Sequence, residues 1–117
     1  GDKTIAESMQ EMSPEMETVF RGLCDYVMGL GDDVSQKQLK RYIAFRCIRN
    51  FASVVIQKKN LRVFLHLDPA TVELTEGWTR DVTNIGHWGT GTLEVLLDDL
   101  GDLEKSKPLI IRAYEEQ

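Results

Sequence analysis

The fold is decided by residues 41–67, RYIAFRCIRNFASVVIQKKNLRVFLHL. In residues 61–67 every second residue is leucine or valine, and the residues between them are Arg62, Phe64 and His66. Such alternation is typical of a strand with one buried face. Alternation predicts strands at Leu61–Leu67 and Arg41–Ile48, and the valine and isoleucine content predicts another at Phe51–Lys58. The short links Arg49-Asn50 and Lys59-Asn60 predict hairpins between them. Residues 41–67 therefore predict a three-strand antiparallel meander.

Helices are predicted on both sides of this meander. Ser13-Pro14 is typical of a helix start, with serine as the N-cap and proline at the first helical position. Apolar residues then recur every three or four positions, at Met16, Val19, Phe20, Leu23, Val27 and Leu30. Gly29 and Gly31 predict the end of this helix. A second helix is predicted near the C-terminus, capped by Asp102 and either kinked or started by Pro108.

Together with a fourth strand at Thr92–Leu97, these elements predict an α+β fold. The prediction is an antiparallel sheet of about four strands (the meander plus one) with N-terminal and C-terminal helices. Residues 13–117 are predicted to form a single α+β domain, and residues 1–12 a flexible or helical extension. We expect one core, made by Met16, Phe20, Leu23, Val27, Ile43, Phe45, Val63, Leu65, Leu97, Leu109 and Ile110.

Charge is distributed unevenly along the chain. The formal net charge is −5, yet no Asp or Glu occurs between Asp33 and Asp68, and this interval holds eight of the 14 basic residues. The rest of the chain has six basic residues against 19 acidic ones. This segregation predicts a basic face on an acidic body, which would attract anions despite the net charge. Chance clustering, or pairing with the acidic helices, is the alternative explanation.

Composition narrows the class of protein. The sequence contains no run of 18 apolar residues and no signal peptide, which predicts a cytoplasmic location and no membrane partner. The cysteines, Cys24 and Cys47, and the histidines, His66 and His87, have no metal-ligand spacing. No metal and no cofactor are therefore predicted.

Residues 68–91 form a long predicted connection, with a helical turn expected near Glu76–Val82. Its last part, Asp81–Gly91, surrounds a His-Trp pair with three glycines. Glycines of this kind permit unusual backbone angles and close approach of a ligand, so we expect a positive φ at one or more of them. The binding residues predicted here are Asp81, Asn84, Gly86, His87, Trp88 and Gly89.

Two alternatives stay open for this segment. His87 is predicted either to pair with Asp81 for acid–base chemistry or to hydrogen-bond the loop backbone. Trp88 is predicted either to offer a stacking surface or to fill the interior as a plug. Trp78 is predicted to pack.

The polar side of the meander is a second candidate surface. If the strand register is regular, Tyr42, Arg46, Arg62, Phe64 and His66 share one face of the sheet. Aromatic and basic residues interleaved on an open sheet suit base stacking and phosphate contact. The residues predicted to contact phosphate are Arg46, Arg49, Lys58, Lys59 and Arg62. In the alternative interpretation a helix covers the aromatic residues.

Four blocks of sequence resemble a known family: Tyr42–Phe45, Arg49–Phe51 with Gln57–Lys59, Asp81–Gly91, and Pro108–Ile110 with Ala113-Tyr114. They are similar to an uncharacterised bacterial and archaeal domain family of unknown function, often labelled "predicted transport protein". Its members occur alone or at the C-terminus of larger proteins, including restriction-type defence proteins. The similarity covers roughly residues 15–116. The resemblance implies no catalytic residues, and the sequence does not support the membrane role in that label.

The sequence therefore predicts a non-catalytic binding module for an anionic ligand, with nucleic acid or a nucleotide as the first candidate. The resemblance adds the expectation of an accessory domain in a defence or restriction system. A protein–protein interaction or dimerisation domain is the alternative. A small-molecule enzyme that uses His87 and Asp81 ranks third.

Overall fold

The computed structural model describes residues 3–117. Along the chain, the regular elements are α1 (Ile5–Glu11), α2 (Pro14–Met28), β1 (Ser35–Gln38), β2 (Ile43–Arg46), β3 (Asn50–Ile56), β4 (Leu61–Leu65), a 3-10 turn (Pro69–Thr71), β5 (Thr79–Asp81), β6 (Leu93–Leu97) and α3 (Leu100–Glu115). The predicted α+β class is confirmed. Gly1 and Asp2, which belong to the predicted N-terminal extension, lie outside the described residues.

The strands form one antiparallel sheet in the order β1-β2-β3-β4-β6-β5. The predicted meander is β2-β3-β4, and the predicted fourth strand is β6. The edge strands β1 and β5 were not predicted, because β1 is fully exposed and polar and β5 has three residues. The prediction of about four strands is therefore too low. The helical turn expected near Glu76–Val82 is a single hydrogen-bonded turn, in which the amides of Trp78 and Thr79 donate to the Thr75 carbonyl at 3.0 and 2.8 Å. From Thr79 onward the expectation is wrong, since β5 begins there.

The helix boundaries follow from hydrogen bonds at their ends. Ser13 caps α2 as predicted, since its hydroxyl accepts from the Met16 amide at 3.1 Å. The cap of α3 is Asp99 instead of Asp102, because the Asp99 carboxylate accepts from the Asp102 amide at 2.8 Å. The helix runs through Pro108, which therefore does not mark its start.

One side of the sheet, called here the helix face, packs against α2 and α3. The register aligns Ile43, Val54, Val63 and Val95 across four strands of this face, and all four are buried. The predicted core residues are buried as expected, except that Leu109 is partly buried at its edge. Trp78 also packs against this core. The helix face is thus apolar at these positions of the four central strands.

The other side, called here the loop face, has a mixed composition. Its register aligns Ala44, Ser53, Phe64 and Glu94 on the same four strands. The helix α1 lies at one end of the sheet, where the Ile5 amide donates to the Lys40 carbonyl at 2.7 Å and the Ile5 side chain is buried. No helix within residues 3–117 is both long and apolar enough to cross a bilayer.

Candidate functional site

Residues Asp81–Gly91, called here the glycine loop, are fastened onto the loop face by side chains of the sheet. The buried Ser53 hydroxyl donates to the Thr90 carbonyl at 3.0 Å. The Nε2 atom of His66 lies 2.9 Å from the Thr90 hydroxyl. Burial lowers the pKa of His66, and the neighbouring Arg49 lowers it further. These contacts fix the C-terminal half of the loop on the sheet.

His87 fixes the middle of the loop. Its ring stacks on Phe64, with ring centroids 4.0 Å apart and an angle of 4° between the planes. Its Nδ1 and Nε2 atoms each lie 3.0 Å from a main-chain carbonyl oxygen, those of Trp88 and Gly91. Both contacts are with the backbone of the loop itself. The structure therefore agrees with the interpretation of His87 as a residue that hydrogen-bonds the loop backbone.

The loop glycines differ in what they permit. Gly89 and Gly91 have φ of 85° and 128°, which confirms the expected positive angles. A Cβ at Gly89 would lie 2.5 Å from the Ser53 hydroxyl, and one at Gly91 would lie 2.9 Å from the Leu65 carbonyl oxygen. Gly86 has no positive φ, and a Cβ there would meet no atom within 4 Å. Gly89 and Gly91 are therefore required by the path of the backbone, and Gly86 is not.

An open cavity of about 670 Å³ lies between this loop, α1 and the β3–β4 hairpin. The loop contributes Gly86, His87 and Trp88, and the sheet with its connecting turns contributes Arg41, Val55, Ile56, Gln57, Lys58 and Arg62. The N-terminal segment adds Lys3, Ser8 and Glu11. Four basic side chains therefore line the cavity against one carboxylate, which itself pairs with Lys3. This excess of positive charge suits an anionic ligand.

Trp88 stands at this cavity with 48% of its surface exposed, so it is not an interior plug. The guanidinium carbon of Arg41 lies 5.7 Å from the centre of its ring, within the range of a cation–π contact. The cavity thus combines an accessible flat ring with positive charge.

Arg62 reaches the cavity from a charged cluster on the loop face. Its guanidinium and that of Arg80 both donate to one carboxylate oxygen of Glu94. Burial alone would raise the pKa of Glu94, but the hydrogen bonds and charges of the two arginines outweigh it and hold the pKa below its usual range. Part of the charge of Arg62 is therefore already compensated by Glu94.

The predicted aromatic and basic surface is only partly realised. Phe64 is fully buried, so it does not offer a stacking surface. The cover is His87 of the glycine loop, and the alternative that a helix covers the predicted aromatics is wrong for Phe64. Tyr42 lies beside the loop, with a ring carbon 3.5 Å from the position of a Cβ on Gly89. The strand register shifts between Phe45 and Arg46, which interrupts the alternation assumed for this surface.

The predicted phosphate-contacting residues separate into two groups. Lys58 and Arg62 line the cavity, and the exposed Lys59 follows in the same hairpin. Arg46 and Arg49 are exposed in and next to the β2–β3 turn, at the opposite end of the strands. The structure therefore does not bring all five residues to one ligand.

Asp81 and Asn84 also lie apart from the cavity lining. Both are exposed, and Asp81 accepts from the amide and the hydroxyl of Thr83 at 2.9 and 2.6 Å. These bonds hold the pKa of the Asp81 carboxyl below its usual range. Both ring nitrogens of His87 contact carbonyls, so the acid–base pair of Asp81 and His87 is not formed.

Sequence reasoning missed several residues of the cavity. Arg41 belongs to the interval without acidic residues, and that charge pattern is the signal that could have identified it. Lys3, Ser8 and Glu11 carry no such signal, because they reach the cavity only through the packing of α1. Within residues 3–117, no group of three His, Cys, Asp or Glu side chains is arranged to hold a metal ion.

Comparison with known proteins places this chain in a family. A model of a domain of unknown function, DUF5655, matches residues 5–117. The chain belongs to the DUF5655 family. This confirms the resemblance to an uncharacterised domain family.

One relative of the chain is an uncharacterized protein of Haemophilus influenzae, 32% identical over 111 residues. The alignment covers 95% of this chain and 37% of the relative, so the chain spans little more than a third of that protein. No solved structure matches the chain significantly.

Proposed function

We propose that this domain is a non-catalytic binding module for an anionic ligand, nucleic acid or a nucleotide, and that the ligand binds in the cavity beside Trp88. The observation that supports this is the lining, in which Lys3, Arg41, Lys58 and Arg62 face one carboxylate. Its volume also falls within the range of roughly 300–1,000 Å³ common for ligand sites. As part of the same proposal, the domain works in the prokaryotic cytoplasm as an accessory to a defence or restriction system.

Lys58 is the residue expected to contribute most to phosphate contact. It is exposed in the β3–β4 hairpin, and among residues 3–117 it takes part in none of the salt bridges. Arg62, in contrast, already donates to Glu94. A bound phosphate would therefore be attracted by the full charge of Lys58 and by only part of the charge of Arg62.

The competing hypothesis of dimerisation through a sheet edge receives less support. The outer strand β1 is short, polar and exposed, and it carries Lys37. Short edge strands with lysine are a common means of preventing edge-to-edge pairing. The third hypothesis, an enzyme using Asp81 and His87, lacks the side-chain pair that it requires.

The proposal is tested by the salt dependence of binding to a labelled single-stranded oligonucleotide, measured by fluorescence anisotropy. Each phosphate contact contributes a slope of about −0.7 to the plot of log affinity against log salt. The double variant Lys58→Ala, Lys59→Ala should flatten this slope and weaken binding at low salt.

The double variant Arg46→Ala, Arg49→Ala is the matched control. It removes the same number of exposed positive charges from the opposite end of the strands, so long-range attraction falls equally in both proteins. We expect the control to keep the slope of the unchanged protein. Absence of binding at low ionic strength, or equal losses in the two variants, would refute the proposal.

A further inference from the structure

The cavity has features that a simple inorganic anion would not need. Val55, which lies on the loop face opposite Arg62, contributes apolar surface to its lining, and Trp88 lines the same cavity with 48% of its surface exposed. An indole face attracts flat rings, and every nucleobase can stack on it. The combination of an apolar wall, an aromatic ring and basic side chains matches a ligand with one flat ring and one phosphate group.

Gly86 supports this reading of the cavity. It lines the cavity, its φ lies outside the left-handed region, and a side chain there would meet no atom within 4 Å. Neither backbone geometry nor packing within the described residues therefore requires glycine at this position. The absence of a side chain at Gly86 leaves open space in the cavity next to Trp88.

We propose that the cavity binds a nucleoside phosphate, with the base against Trp88, the phosphate at Lys58, and Gly86 as the residue that admits the base. This inference rests on the proposed function, because it assigns a ligand class to the same site. It makes Gly86 a determinant of specificity, distinct from Gly89 and Gly91, which serve the loop backbone. The nucleoside phosphate is either a free nucleotide or one nucleotide of a single strand.

The first test compares adenosine 5′-monophosphate, ribose 5-phosphate and inorganic phosphate by isothermal titration calorimetry at low salt. The three probes share a phosphate, and only the first has a base. A stacked base is expected to tighten binding by about 5- to 150-fold over ribose 5-phosphate. Equal affinity of the nucleotide and the sugar phosphate would overturn the inference.

Two variants of the protein test whether Trp88 and Gly86 contribute to binding of the base. Trp88→Ala should reduce the affinity for the nucleotide to that for ribose 5-phosphate and leave the sugar phosphate unchanged. Gly86→Leu should reduce nucleotide binding at least tenfold, while the melting temperature stays within about 3 °C, as for other surface substitutions. Unchanged nucleotide binding in folded Gly86→Leu would contradict the role given to Gly86.

A single-stranded oligonucleotide distinguishes the two sources of the ligand. Tighter and more salt-sensitive binding of the strand than of the mononucleotide would identify the strand as the source, since the additional phosphates need additional contacts. Equal binding would identify the free nucleotide.

Failure of this inference differs from failure of the proposed function. If the phosphates bind without preference for a base, the nucleoside-phosphate assignment falls and the anion-binding module stands. If none of the probes binds at low salt, both fall.

Discussion

The two faces of the sheet are built from the same strands but are covered in different ways. On the helix face the register aligns Ile43, Val54, Val63 and Val95, and their apolar side chains pack against α2 and α3. On the loop face the neighbouring positions hold Ala44, Ser53, Phe64 and Glu94. This face is covered by an irregular loop. The loop is held in place by hydrogen bonds and by one stacked pair of rings.

The difference explains where the cavity can form. Helices that pack on an apolar face exclude water and leave little open space, because interiors are close-packed. A loop held at a few points leaves space beside it, here between Trp88, the β3–β4 hairpin and α1. The helix face is therefore expected to contribute most of the stability of the fold, and the loop face carries the candidate site.

The largest expected effect concerns the helix face. Leu23→Ala removes a buried side chain of α2 and should lower the free energy of unfolding by about 2–5 kcal/mol, as large-to-small core substitutions do. Urea denaturation monitored by circular dichroism measures this. A change near zero would show that the helix face does not carry the stability.

A smaller loss is expected from Gly91→Ala on the loop face. A φ of 128° disfavours any side chain, and the new methyl group would press on the backbone of Leu65. The expected cost is about 1–3 kcal/mol, typical of strained backbone positions. Gly86→Ala, in the same loop, is the control and should change stability by less than about 0.5 kcal/mol. Equal losses in the two variants would remove the distinction between these glycines.

The charged cluster of the loop face should make stability depend on pH. The pKa of Glu94 is depressed in the folded state, so its contribution to stability is present above the ordinary pKa of 4.5 and is lost as pH falls through the folded pKa. Glu94→Gln should cost about 1–2 kcal/mol at pH 7, because Arg62 and Arg80 lose a charged acceptor.

Urea midpoints of both proteins at pH 7 and pH 3 provide the measurement. The difference between them should shrink at pH 3, because this pH lies below the ordinary pKa of the carboxyl and the contribution of its charge falls as pH drops towards the folded pKa. A difference that is the same at both pH values would show that the Glu94 charge does not contribute.

Trp88 and His87 both line the cavity, but the two residues are expected to differ in their contribution to stability. Trp88→Ala should cost less than about 1 kcal/mol, because half of the ring is exposed. His87→Ala should cost more, about 1–3 kcal/mol, since its ring stacks on Phe64 and contacts two carbonyls. Thermal melts of the two variants check the order, and a larger loss for Trp88→Ala would contradict it.

The sequence predicts the helix face well, because buried positions of a helix or strand recur at a fixed period along the chain. The stripe around Leu23 and the alternation around Val63 both identify buried positions correctly. The loop face leaves a weaker record. The burial of Phe64 follows from its stack with His87, which lies 23 residues further along the chain. No local sequence pattern predicts a contact of that kind.

The candidate site is predicted in part for the same reason. The glycine loop stands out by composition, and the basic interval by its lack of acidic residues, so Lys58, Gly86 and Trp88 could be named in advance. Arg46 and Arg49 share the charge signal but lie at the other end of the strands. Which charges meet is decided by strand direction and by the packing of α1, and the sequence does not state these.

The most direct test of the account is a map of the ligand-binding surface by ¹H–¹⁵N NMR. A single-stranded oligothymidylate of about eight nucleotides, within the site size of common single-strand binders, is added to the labelled protein. We predict that the largest shifts fall on the amides of Gly86, Trp88 and Lys58 and on the Trp88 indole N–H. Largest shifts in the β2–β3 turn around Arg46 and Arg49, or no shifts at low salt, would contradict the claim that this cavity is the site.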